Sequence, residues 1–141
     1  MADVTKLIEQ DHRAVEGLFA QFKSSGGEDV AETICEELEA HAAAEEAVFY
    51  PVVKSDVPGG EKLAKEGNDE HGEARQLIGR IKQTTHEEHL AELVTELQQA
   101  VSHHVQEEES EMLPKTRDAL DPARLDEIGA SFEAEKARLK A

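Results

Sequence analysis

Six side chains in this sequence have the types and the spacing to hold metal. His41 and Glu45 stand four residues apart, and so do His104 and Glu108, 63 residues further on. Each copy closes at a proline, Pro51 and Pro114, which are also 63 apart. A lone histidine precedes each copy, His12 and His71, 59 apart. A histidine and a glutamate at i and i+4 lie one above the other on a helix face. Such a pair reaches one metal ion, or reaches two with the carboxylate bridging. Four imidazoles and two carboxylates make a nitrogen- and oxygen-rich set that suits iron or another first-row metal.

The elements that must position these residues read as helices. Ile8, His12, Val15, Phe19 and Phe22 recur at helical spacing, so a first helix is expected from Asp3 or Thr5 to Phe22, ended by Ser24-Ser25-Gly26-Gly27. A second begins near Glu28 with the stripe Ile34, Leu38, His41, Glu45, Val48 and Val52, and Pro51 is expected to kink or end it. A third spans Glu61 to Lys82, with Leu63, Gly67, His71, Ala74, Ile78 and Ile81 inward. Thr85 with Glu88 has a capping-box pattern for a fourth helix from His86 through Leu113, with room to run beyond Pro114. Its stripe, Leu90, Leu93, Leu97, Val101, His104, Glu108 and Met112, excludes the neighbouring pair His103 and Glu107. His86 and His89 fall in its first turn and are expected in solvent, as are Glu107, Glu109 and Glu111, part of an acidic run. A short last helix, Ala123 to Leu139, offers Leu125, Ile128, Phe132 and Leu139 for packing and no evident chemistry. One histidine on an apolar stripe is more often a hydrogen-bonded core residue than a ligand. A glutamate on that stripe is costly unless something pairs with it, and a metal ion is such a partner.

The expected fold class is all-α: an up-down-up-down antiparallel four-helix bundle over residues 1–120, with residues 121–141 as an extra helix packed on it. One tyrosine, four phenylalanines and no tryptophan leave little for strands. A net charge of −17 argues against nucleic acid and against docking on an anionic membrane. The single cysteine, Cys35, reads as a small packed residue and points to a reducing, cytoplasmic setting. No signal peptide or membrane span is expected, and the chain is expected as a monomer or weak homodimer.

Four helices that each carry a ligand on the apolar stripe resemble the hemerythrin-like HHE domains over about residues 5–118. The family pattern is a histidine on the first helix, H-x-x-x-E on the second, a histidine on the third and H-x-x-x-E/D on the fourth. Here those are His12, His41 with Glu45, His71, and His104 with Glu108. The resemblance implies two non-haem iron ions bridged by the two glutamates and an oxo or hydroxo group, with zinc or manganese as substitutes. It assigns His71 and His104 to one iron, and His12 and His41 to the other. Oxygen-carrying hemerythrins place another histidine one turn after the third-helix histidine, where this chain has Arg75. The set is therefore more similar to the four-histidine centres of bacterial iron–sulfur repair proteins and of the iron-sensing ubiquitin-ligase subunit.

Residual positive charge on such a centre in a poorly solvated core favours a further anionic ligand, for which Glu111 and Tyr50 are the local candidates. Open positions on iron admit dioxygen, peroxide or nitric oxide. The functions implied are a redox-active protein, catalase-like or nitric-oxide-handling, and a sensor or store of iron or oxygen without turnover. Both use the same ligands. A metal-free acidic interaction module is the third reading.

Overall fold

The computed structural model describes residues 2–141, and among these there is no strand. Helix α1 (Val4–Ser25) starts where the Asp3 carboxylate accepts from the Thr5 amide, and it stops at Gly26 and Gly27, both at positive φ. Helix α2 (Glu28–Ala44) runs into a π-helical turn, Glu45–Phe49, and then α3 (Tyr50–Asp56). Helices α4 (Gly60–Gln83) and α5 (Glu87–Glu107) follow, then a second π-helical turn, Glu108–Met112, and α6 (Leu113–Ala119). Helix α7 (Pro122–Lys140) is nineteen residues long, comparable to α1, α2, α4 and α5 rather than short. The capping box expected at Thr85 does not form: His86 is the N-cap of α5, and no side chain caps that end.

Packing follows the stripes. Helix α1 lies on α2, α4 on α5, α2 on α4 and α1 on α5, which closes a ring of four. Helix α7 packs outside the ring on α1, α2 and the first π-turn. Two apolar clusters fill the interior. One gathers Val4, Ile8, Phe49, Tyr50, Val53, Leu113, Leu125, Ile128 and Phe132. The other gathers Val15, Phe19, Ile34, Cys35, Ile78, Leu90, Val94 and Leu97. His12 sits between Ile8 of the first cluster and Val15 of the second, so the polar residues form a layer between two greasy ones. No described helix is long and apolar enough to cross a membrane.

The two prolines are absorbed rather than obeyed. A proline inside an α-helix lacks an N–H and clashes with the carbonyl four residues back. Here the turn before each proline widens: the Tyr50 amide donates to the Glu45 carbonyl, and the Leu113 amide to the Glu108 carbonyl. The widened turn holds one extra residue, so the buried face moves on by one. The stripe expected beyond Glu45 was Val48 and Val52; those two are half-buried, and Phe49, Tyr50 and Val53 are buried instead. That shift turns the Tyr50 side chain inward.

Helix α4 makes room for it. A Cβ built at Gly67 would stand 2.7 Å from the Tyr50 ring and hydroxyl. Gly67→Ala is therefore expected to destabilise by about 1–3 kcal/mol through overpacking. In a Tyr50→Leu background the same change should cost much less, because the clashing atoms are gone. Urea unfolding of the two single variants and the double variant checks this; additive losses would show that Gly67 is not shaped around Tyr50.

Candidate metal centre

The side chains of His12 on α1, His41 on α2, His71 on α4 and His104 on α5 converge on one layer. Glu45 and Glu108, each the first residue of a π-turn, join them there. All six are buried, Glu45 fully and Glu108 to 2 % exposure.

Each imidazole is gripped from outside by a carboxylate on a different element. His12 Nδ1 donates to Glu109 at 2.6 Å, His41 Nδ1 to Asp11 at 2.7 Å, His71 Nδ1 to Glu46 at 2.7 Å and His104 Nδ1 to Glu70 at 2.6 Å. A carboxylate accepts only, so it fixes the proton on Nδ1 and leaves Nε2 as the inward atom. Those Nε2 atoms face the two glutamates: His12 at 3.0 Å and His104 at 3.3 Å from Glu108, His41 at 3.2 Å and His71 at 3.0 Å from Glu45.

A lone pair on nitrogen facing a carboxylate oxygen at that distance repels it unless a cation stands between. His12 Nε2, His41 Nε2, Glu45 Oε2 and Glu108 Oε1 are buried and have no hydrogen-bond partner. Buried polar atoms are almost always satisfied, so four orphans in one layer mark a place for a cation. Within the buried layer two groups have ligand atoms close enough for one ion each: His12, His41, Glu45 and Glu108; and Glu45, His71 and His104; a third such group, Glu70, His103 and Glu107, lies outside it with His103 exposed. Glu45 belongs to both buried groups. The donor set fits the two-metal expectation.

Without metal, protons take that role. Burial works against the charged ring of His41, but Glu45 and Asp11 outweigh it and push its pKa up to about 10. His104 is raised in the same way against burial, by Glu108 and then Glu45 and Glu70. Glu45, which burial alone would raise, is held well below the usual carboxylate range by His41, His104 and His71.

Tyr50 closes one side of the layer. Its hydroxyl donates to Glu108 at 2.7 Å and lies 3.3 Å from His71 Nε2 and 3.4 Å from Glu45, within reach of the second group of ligands. Burial, then Glu45 and Glu108, raise its pKa well above that of a free phenol, so the hydroxyl keeps its proton. Glu111 is exposed on the outer face. A cavity of about 40 Å³ adjoins the four imidazoles, with an apolar lining that includes Val15, Leu38, Ala74, Ile78 and Val101. That is roughly three times the smallest space that holds a water molecule.

The helical stripes do not mark the carboxylates that grip the histidines, and Glu109, expected on a solvated face, instead holds His12. The signal was present. Asp11 and Glu70 share the 59-residue spacing of His12 and His71, and Glu46 and Glu109 share the 63-residue spacing of the H-x-x-x-E copies. Arg75, where oxygen carriers have a histidine, turns outward and clamps Glu46 with two hydrogen bonds of 2.8 and 2.9 Å. Arg13 holds Glu109 at 2.7 Å. His86 and His89 are exposed, and His103 is 65 % exposed, as the register required.

The hemerythrin HHE cation binding domain model matches residues 3–116. A DNA nickase from Nostoc sp. is 29% identical over 143 residues; the match takes in 98% of this chain and 40% of the relative, so the chain spans well under half of that protein. No solved structure matches.

Two outcomes are expected. His104→Ala and Glu108→Ala should lose bound metal, whereas His103→Ala and Glu107→Ala keep it, by elemental analysis of the purified variants. The second concerns pH. In metal-free protein the contribution of His41 is complete below its ordinary value of 6.5 and is lost as pH rises through about 10. The contribution of Glu45 is present above its ordinary value of 4.5 and is lost on acidification. Thermal melts in chelator should therefore peak between those limits and fall toward pH ~10. A melting temperature that climbs steadily into alkali would contradict the paired imidazole–carboxylate layer.

Proposed function

The chain belongs to the hemerythrin HHE cation-binding domain family, and from that premise we propose a two-iron protein that binds or reacts with dioxygen, peroxide or nitric oxide. The observation that carries this is the layer of four orphaned atoms on His12, His41, Glu45 and Glu108. His12 and His41 would hold one ion, His71 and His104 the other, with Glu45 and Glu108 between them. In this reading the ring of helices is the up-down-up-down antiparallel bundle of the family. When bound, reducible iron with open coordination positions supplies small-ligand binding and electron exchange.

The protein's own residues set the terms. The outer carboxylates keep each Nδ1 protonated and each Nε2 free, so the rings are oriented before any ion arrives. The Tyr50 hydroxyl fixes one oxygen of Glu108 as a hydrogen-bond donor within the layer. The apolar cavity favours a small uncharged guest over an anion or an organic substrate. A buried Cys35, whose thiol burial pushes up to about 11, is no competitor for that chemistry and suits a reducing, cytoplasmic setting. The nickase activity of the Nostoc relative is not carried over, because a chain with net charge −17 repels a polyanion.

Iron-replete expression is expected to give close to two irons per chain. Stopped-flow mixing with nitric oxide, peroxide and dioxygen should give at least one rapid change in the visible spectrum. Sustained turnover would identify an enzyme, and binding without turnover a sensor or store. Protein without stoichiometric transition metal, or an iron-loaded form inert to all three, would remove the proposal.

A further inference from the structure

Three of the four carboxylates behind the histidines carry a cationic side chain. Arg13 holds Glu109, Arg75 holds Glu46, and Lys136 holds Asp11 at 2.6 Å. The fourth, Glu70, has no Lys or Arg partner among the described residues; it faces His103 at 3.5 Å, and His103 reaches Glu107 at 3.1 Å. The three cationic contacts differ in kind. The Arg13 and Arg75 side chains are 56 % and 43 % exposed, whereas Lys136 is 18 % exposed against Asp11 at 19 %. A shielded pair is less screened and more tightly fixed than a surface pair. Lys136 also stands on α7, beyond the residues that the family model covers.

Helix α7 is seated closely enough to aim it. A Cβ at Gly129 would come within 2.0 Å of the Ala2 carbonyl oxygen, so that glycine lets α7 lie against the start of the chain. At the other end Lys140 pairs with Glu37 on α2. Between them Phe132 meets the His41 ring edge-on, centroids 5.8 Å apart. Asp11 is then held at both ends: one oxygen accepts from Lys136 and the other from His41 Nδ1.

We propose that α7 is part of the outer support of the centre. Lys136, acting through Asp11, is a positioning residue for His41, so the His12–His41 half depends on Lys136 and the His71–His104 half does not. Only the metal arm of the test below rests on the two-iron reading.

In the metal-free wild type, nitrogen-15-edited NMR should show four slowly exchanging imidazole Nδ1–H signals, assigned by single histidine substitutions. Lys136→Met is expected to broaden or lose the His41 signal and keep the other three. Lys136→Arg should restore it. Arg138→Met, an exposed α7 control paired only within its own helix, should leave all four. A His41 signal that persists in Lys136→Met, or the joint loss of all four, overturns the proposal. In the second arm, zinc titrated into metal-free protein should bind about tenfold more weakly at one of two equivalents in Lys136→Met, the other unchanged. Equal weakening, tightening or no change at either equivalent also overturns it. A wild type that takes up no metal defeats the two-iron reading instead, and the NMR arm alone decides this one.

Discussion

Two carboxylates buried against four imidazoles are the constraint on which this structure depends. Glu45 and Glu108 are among its largest fully buried side chains, in company with Ile8, Phe49 and Leu97. Taking an ionised carboxylate out of water is tolerated only with positive charge nearby and with its lone pairs engaged. Everything around the layer serves that requirement. The imidazoles supply the nearest partners, the outer carboxylates orient them, and arginine and lysine side chains balance three of those carboxylates. The acidic composition thus has a structural component. Asp11, Glu45, Glu46, Glu70, Glu108 and Glu109 belong to the centre rather than to a solvating coat.

Much of this was legible in the sequence because helical periodicity and the internal repeat agree. Val101 and Leu97 fix the face of α5, and that face selects His104 over His103 although both have a glutamate four residues on. The six inner residues follow from that logic alone. The outer carboxylates were hidden for a physical reason: a residue next to a ligand lies about 100° away on the helix and reads as surface. It is the neighbouring helix, not its own, that brings it onto a ring nitrogen. Asp11 adjoins His12 in sequence yet serves His41, and Glu70 adjoins His71 yet serves His104.

The π-turns were illegible for a different reason. Proline announces a break in backbone hydrogen bonding without saying whether the helix ends, kinks or widens. Widening costs a less favourable hydrogen-bond geometry but keeps the helix running through the site. It also starts a new register at the very residue whose carboxylate faces the layer. Because of that register, Tyr50 was a marginal candidate from sequence and is a buried neighbour of both glutamates in the fold.

The two halves share their inner ligands and diverge in what surrounds them. The positions of Gly67 and Tyr50 correspond, through the same 59- and 63-residue spacings, to Ile8 and Leu113. One half therefore places a phenol hydroxyl over its imidazoles where the other places two aliphatic side chains, all four residues lying in the interior. The outer shells diverge as well, with a lysine from α7 behind His41 and a histidine and a second glutamate beside the carboxylate behind His104. If each half held an ion, a symmetric inner set in an asymmetric setting would give the two positions different hydrogen-bond donors and different local charge. Here the inner residues repeat so closely that the difference has to come from the second ring of side chains.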